Sequence, residues 1–88
     1  MSMVLVVEDS IPQREMITEL LQGNGLTVTA ATDGVEALEQ IQAGKYPDLV
    51  VLDIVMPRMN GYEVCRRLKA DPQTQDVPVI LCSSKGEE

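Results

Sequence analysis

The sequence contains no histidine, no tryptophan and no phenylalanine, and tyrosine occurs only twice in its 88 residues. Without histidine, the chain cannot form a Ser-His-Asp triad or most kinds of zinc site. With so few aromatic side chains, its core must be built from aliphatic residues. The two cysteines, Cys65 and Cys82, do not form a CxxC motif, and we interpret them as reduced, mostly buried thiols.

Positive charge is also scarce, since 7 Lys and Arg stand against 14 Asp and Glu, giving a net charge of −7. Proteins bind nucleic acids and anionic membrane surfaces largely through cationic side chains, so neither is expected as a partner. The sequence has no apolar run long enough to span a membrane and no recognisable export signal at its N-terminus. These absences favour a cytoplasmic protein.

Short apolar runs alternate with segments in which apolar residues recur at helical spacing. The runs, read as buried strands, are residues 3–7, 26–31, 49–52 and 79–82. The predicted helices carry their apolar residues at Met16, Ile17, Leu20 and Leu21, at Val35, Leu38 and Ile41, and at Val64, Cys65 and Leu68. Strands joined by helical crossovers form parallel sheets, so we predict one α/β domain, residues 1–88, with a doubly wound parallel sheet.

Loop residues mark the predicted helix ends. Ser10 can cap the first helix, with Pro12 tolerated in its first turn, and the glycines at positions 23 and 25 end it. The Asp-Gly pair at positions 33 and 34 leads into the second helix.

Acidic residues end two of the predicted strands, Glu8 and Asp9 after the first and Asp53 after the third. If the strand order is 2-1-3-4, these strands are neighbours, and the carboxylates converge where such sheets bind ligands. Carboxylates this close repel one another unless they share a proton or bind a cation, and Mg²⁺ is the cation that oxygen ligands favour. The alternative, that these acids are solvated loop residues or helix caps, stays open on this evidence alone.

Three segments resemble a response-regulator receiver domain: VLVVEDS at 4–10, PDLVVLDIVMPRMNG at 47–61 and VPVILCS at 77–83. The resemblance covers essentially the whole chain, and its most specific part is the spacing of the acid, the Met-Pro pair and the glycine in the central segment. It implies a flavodoxin-like sheet of order 2-1-3-4 and a role in two-component signalling rather than enzymatic turnover. Within the family, the chain looks most like the stand-alone receivers of chemotaxis and twitching motility.

The resemblance also implies roles for individual residues. Asp53 matches the aspartate that accepts a phosphoryl group from a histidine kinase or phosphotransfer protein. Glu8, Asp9, Asp53 and the backbone carbonyl of Val55 match the ligands of Mg²⁺ or of its waters. Ser83 matches the hydroxyl residue that hydrogen-bonds the phosphoryl group.

Other parts of the family pattern are not matched in this sequence. The family has a fifth strand and two further helices, and none of Lys45, Lys69 and Lys85 occupies the position of its lysine. We therefore expect a C-terminally truncated receiver in which phosphorylation is impaired. We also expect a homo-oligomer formed through the unpaired edge of the fourth strand.

Three alternative functions differ in what they require. A phosphatase of the haloacid-dehalogenase type needs a second aspartate where this chain has Val55. A nucleotide- or flavin-binding domain needs a Gly-rich or hydroxyl-rich loop after the first strand, where this chain is acidic. A truncated pseudo-receiver that self-associates without being phosphorylated fits the residues best of the three.

Overall fold

The computed structural model describes residues 2–82, which form a four-stranded parallel sheet and three helices. The strands are β1 (Met3–Val7), β2 (Thr27–Ala31), β3 (Leu49–Asp53) and β4 (Val79–Cys82), and the helices are α1 (Ile11–Gly23), α2 (Gly34–Gln42) and α3 (Gly61–Ala70). The strand order is β2-β1-β3-β4, and every neighbouring pair is parallel. The predicted fold class, element order and strand order 2-1-3-4 are confirmed.

The two central strands form the most buried part of the sheet. The β1 residues Val4 to Val7 are at most 2% exposed, and Val50 and Leu52 of β3 are fully buried. Strands covered on both faces are continuously apolar rather than alternating, which is the pattern of these two segments. Glu8, which follows β1, and Asp53, which ends β3, therefore lie at the ends of the two most buried strands.

Helix α1 differs most from its prediction. Met16 and Leu20 are 62% and 65% exposed, and no residue of α1 is fully buried. Ser10 occupies the N-cap position, but its side chain makes no capping hydrogen bond. Its backbone N–H instead donates to Oε2 of Glu8, at 3.1 Å. None of the three helices between residues 2 and 82 has both the length and the apolarity needed to cross a membrane.

The other helix ends depend on side chains whose roles were not predicted. Asp33 caps α2 by accepting from the N–H of Glu36, and Asn60 caps α3 by accepting from the N–H of Glu63. The buried Thr74 donates its hydroxyl to the carbonyl of Leu68 at 2.7 Å, which ties the α3–β4 connection to the helix. Such caps are typically worth about 1 kcal/mol each.

The second strand begins one residue later than predicted. The N–H of Leu26 donates to the carbonyl of Leu21, so Leu26 belongs to the turn that ends α1. The left-handed backbone of Gly25, with φ of 85°, makes this turn possible.

Candidate functional site

The three acidic side chains converge at the carboxyl edge of the sheet. Val7 and Leu52 are register partners in the β1–β3 pair, so the residues that follow them, Glu8 and Asp53, lie side by side at the end of the sheet. One carboxylate oxygen from each of Glu8, Asp9 and Asp53 lies within 4.8 Å of the other two. The structure thus brings together the three carboxylates that the sequence analysis singled out.

Two of these carboxylates are withdrawn from solvent. Glu8 is 2% and Asp53 is 1% exposed, whereas Asp9 is half-buried. Burial raises the pKa of Glu8, the hydrogen bond from the Ser10 N–H opposes this, and the nearby charges of Asp53 and Asp9 raise it further. At an effective dielectric constant of about 20, two carboxylates roughly 5 Å apart repel by about 3 kcal/mol. The cluster therefore destabilises the fold unless a proton or cation offsets it.

Backbone contacts fix the end of β1 against this repulsion. The N–H of Glu8 donates to the carbonyl of Ala31 at 3.1 Å, which continues the pairing with β2 beyond the strand. Arg14 on α1 donates from Nη1 to the carbonyl of Glu8 at 2.8 Å. Arg14 was not predicted as a site residue, because a single arginine in a helix carries no sequence signal for a contact with the preceding loop.

The loop between β3 and α3, residues 54–60, folds back over Asp53. The N–H of Val55 lies 3.4 Å from Oδ1 of Asp53, and the Val55 side chain is 51% exposed. The N–H of Gly61 donates to the carbonyl of Ile54 at 2.8 Å. A Cβ at Gly61 would overlap the carbonyl oxygen of Asp53, so only glycine lets α3 begin this close to the phosphoacceptor candidate.

A tight turn at Arg58 shapes the middle of the same loop. The N–H of Met59 donates to the carbonyl of Pro57 at 2.7 Å, and Arg58 between them has φ of 68°. This is a γ-turn with a left-handed central residue, a conformation that costs a non-glycine residue about 1–3 kcal/mol. The Arg58 guanidinium forms an ion pair with Asp33, and the sequence did not predict this contact.

The fourth strand brings Cys82 next to Asp53, its register partner. Burial raises the pKa of the Cys82 thiol, and the charges of Asp53 and Glu8 add to the effect. Cys65 and Cys82 are free cysteines and are half-buried rather than mostly buried. Ser83, predicted to bind the phosphoryl group, and Lys85 lie outside the described residues.

The donor set fits a hard divalent cation. Every side-chain ligand in the cluster is a carboxylate oxygen, which is the kind of ligand Mg²⁺ prefers. Burial of Glu8 and Asp53 leaves little water to screen their charges, so a bound cation would remove a large part of the repulsion. When bound, the ion supplies positive charge that offsets both the carboxylates and an incoming phosphoryl group.

The fold and its edge cluster define a doubly wound α/β domain with an acidic cluster at the topological switch point. The family model for the response regulator receiver domain matches residues 4–88, and the chain belongs to this family. Receiver domains are in general signalling modules rather than enzymes, bind Mg²⁺ at an acidic pocket and interact with histidine kinases or phosphotransfer proteins.

Curated relatives are regulators much longer than this chain. Response regulator MprA of Mycobacterium ulcerans is 44% identical over 82 residues, which cover 93% of this chain and 34% of that protein. The phosphate regulon transcriptional regulatory protein PhoB of Escherichia coli is 38% identical over 85 residues, covering 97% and 37%. The chain thus spans about a third of the length of these relatives.

Solved structures agree with the fold. The N-terminal domain of a response regulator receiver protein from Methanoculleus marisnigri is 38% identical, with a TM-score of 0.86 over 98% of this chain and 69% of that one. Chemotaxis protein CheY4 of Vibrio cholerae is 33% identical, with a TM-score of 0.89 over 99% and 72% of the two chains. The flavodoxin-like fold predicted from the resemblance is therefore confirmed.

Replacing Glu8 should stabilise the metal-free protein. The folded-state pKa of Glu8 is raised, so its ionisation opposes folding; this penalty appears as pH rises from the unfolded value of about 4.5 through the folded pKa. In EDTA at pH 7, we expect Glu8→Gln to unfold at a higher urea concentration than the unsubstituted chain. The difference should shrink as pH falls towards 4. Urea titrations followed by circular dichroism measure it, and a lower midpoint for the variant at pH 7 would contradict the electrostatic account.

Proposed function

We propose that this chain receives a phosphoryl group on Asp53 from a histidine kinase or phosphotransfer protein, with Mg²⁺ held by Glu8, Asp9, Asp53 and the carbonyl of Val55. The observation that carries the proposal is the convergence of three carboxylates, two of them buried, on the edge where a receiver has its site. A buried like-charged cluster is costly to a fold, so its presence favours a function that uses a cation there.

The residues supply a simple substitution at phosphorus. A carboxylate oxygen of Asp53 attacks the phosphorus atom, forming an oxygen–phosphorus bond as the donor's phosphorus–nitrogen bond breaks. The electron pair stays on the departing imidazole, which takes up a proton from solvent, and Asp53 becomes an acyl phosphate. Burial of Asp53 and the fixed ends of β1 and β3 position the nucleophile, and positioning with electrostatics provides most of the catalysis in phosphoryl transfer.

We propose that residues 1–88 form one receiver domain and that its output is regulatory. The relatives' names include a transcriptional regulator and a chemotaxis protein, so they do not select one output. The stand-alone, motility-related role and the expectation of no nucleic-acid partner remain predictions. The cytoplasmic location expected from composition also remains a prediction.

Mg²⁺ is expected to raise the melting temperature of the chain, because a ligand that binds only the folded state stabilises it by mass action. Asp9→Ala should remove this rise, since it deletes one of the converging carboxylates. Differential scanning fluorimetry over a series of Mg²⁺ concentrations is the measurement. Glu15→Ala, a change at an exposed acid on α1, is the matched control and should keep the rise. An equal rise in the Asp9 variant would exclude this metal site.

Phosphorylation of the 88-residue polypeptide is expected to be weak, because no lysine in it matches the family's phosphoryl-binding lysine. Loss of one charge-assisted contact commonly costs about 1.5–3 kcal/mol, or roughly tenfold to more than a hundredfold in occupancy. Acetyl phosphate with Mg²⁺ should label only a small fraction, measured by intact-protein mass spectrometry, and Asp53→Asn should abolish the label. Stoichiometric labelling would show that the lysine is dispensable, and labelling of the Asn variant would exclude Asp53 as the acceptor.

A second candidate, self-association of the 88-residue polypeptide without phosphorylation, is favoured by an exposed apolar side chain on β4. Strand β4 pairs with β3 alone among the strands of residues 2–82, and Ile80 on it is 50% exposed. Unprotected strand edges pair readily with another chain, and apolar surface promotes such pairing. The net charge of −7 opposes association, but physiological salt screens it beyond about 8 Å.

Self-association is therefore expected at micromolar concentration, as a two-fold dimer or a larger oligomer joined through Val79, Ile80 and Leu81. Sedimentation equilibrium measures the molar mass. Ile80→Lys should give a monomer, because it places a charge on the pairing edge. A folded monomer of the unsubstituted chain would rule out this second function.

A further inference from the structure

The β3–α3 loop must hold an unfavourable backbone conformation at Arg58. Its φ of 68° lies in the left-handed region that side chains with a Cβ avoid, and asparagine or glycine would adopt it more readily. A conformation of this kind persists only where surrounding contacts hold it. The position lies three residues after Val55, whose carbonyl is the proposed backbone ligand, and three before Gly61.

The contact that holds Arg58 reaches across to a different element. Nε and Nη2 of Arg58 both donate to Oδ2 of Asp33, at 3.0 and 2.6 Å. The Asp33 side chain is 10% exposed, and its other oxygen, Oδ1, caps α2 by accepting from the N–H of Glu36 at 2.9 Å. One carboxylate therefore fixes the start of α2 and the turn of the β3–α3 loop at the same time.

The two elements also pack closely at this point. A Cβ at Gly34, the first residue of α2, would overlap the Cγ2 methyl of Val64 on α3 and lie 3.2 Å from the Cβ of Met59. The start of α2 is thus closely packed against α3 and the β3–α3 loop. An ion pair to Asp33 therefore joins Arg58 to a well-packed part of the fold.

The ion pair is exposed on one side only. The Arg58 side chain is 59% exposed, so solvent screens part of the attraction, whereas the Asp33 side chain is 10% exposed. The contact joins a left-handed residue in the loop that follows Asp53 to this nearly buried partner. It therefore constrains where the loop backbone lies.

We propose that Asp33 and Arg58 act as a positioning pair, which holds the β3–α3 loop so that the Val55 carbonyl lies at the metal site formed with Glu8, Asp9 and Asp53. This inference rests on the proposed function, because it assigns the pair a role in the affinity of that site for Mg²⁺. Neither residue belongs to the proposed set of ligands. Groups that orient metal ligands commonly change metal affinity by roughly tenfold or more when they are removed.

The test measures the Mg²⁺ dissociation constant of the 88-residue chain by isothermal titration calorimetry. Arg58→Ala removes the guanidinium and keeps a Cβ, which avoids the left-handed backbone, and Asp33→Asn removes the charge but keeps a capping oxygen. Each variant should bind Mg²⁺ roughly tenfold more weakly, and the double variant should be no weaker than the weaker single one. Arg58→Lys should recover part of the affinity. Arg66→Gln, which breaks an exposed ion pair with Glu63 on α3, should leave it unchanged.

Urea titrations in EDTA distinguish positioning from a purely structural role. The proposal expects small changes in the urea midpoint alongside the loss of Mg²⁺ affinity. Unchanged affinity in both Arg58→Ala and Asp33→Asn, whatever their midpoints, would overturn it. Failure of the unsubstituted chain to bind Mg²⁺ would overturn the proposed function itself, whereas binding in that chain with equal binding in the variants would remove only the positioning pair.

Discussion

Repulsion among three carboxylates is the interaction on which the rest of this structure depends. Glu8, Asp9 and Asp53 meet because β1 and β3 are adjacent parallel strands that end at the same level. Without a cation, the electrostatic free energy of this edge favours separation of the strand ends. The sheet resists because β1 and one face of β3 are buried, and a separation would expose apolar side chains such as Leu5 and Leu52.

Supports outside the sheet keep the loops around the cluster in place. Arg14 holds the carbonyl of Glu8, and the lack of a side chain at Gly61 lets α3 begin against Asp53. Arg58 and Asp33 join the far part of the same loop to the start of α2. Arg14 acts on the backbone of Glu8, and Arg58 acts on Asp33, which lies outside the cluster, so neither arginine uses a carboxylate of the cluster.

Much of the fold could be predicted from the sequence because its strongest signals are local. The unbroken apolar run before Glu8 and the one before Asp53 are typical of buried parallel strands, and with the strand order 2-1-3-4 they bring the acids together. The exposure of Met16 and Leu20 could not be predicted in the same way. Helical spacing shows which residues share a face, but not whether another element covers that face.

The contacts missed at the site are those that depend on tertiary structure. Serine before a helix usually caps it, yet the buried Glu8 carboxylate accepts the Ser10 amide, and the Ser10 hydroxyl makes no capping bond. Nothing about Arg58 in the sequence predicts a left-handed backbone, because arginine has no preference for it. The ion pair between Arg58 and Asp33 joins residues 25 apart, and only the packed fold brings them together.

A phosphoryl group on Asp53 would add negative charge to a sheet edge where three carboxylates already repel one another. The added charge has to be balanced by the cation and by donors in the loops, so the loop positions and the charge state of the edge are coupled. A loop whose two ends are fixed can change its conformation only in the middle. In the β3–α3 loop the ends are tied at Ile54 and Gly61, and the middle is held through Arg58 to α2. The ion pair between Arg58 and Asp33 is therefore the contact through which the middle of this loop is joined to α2.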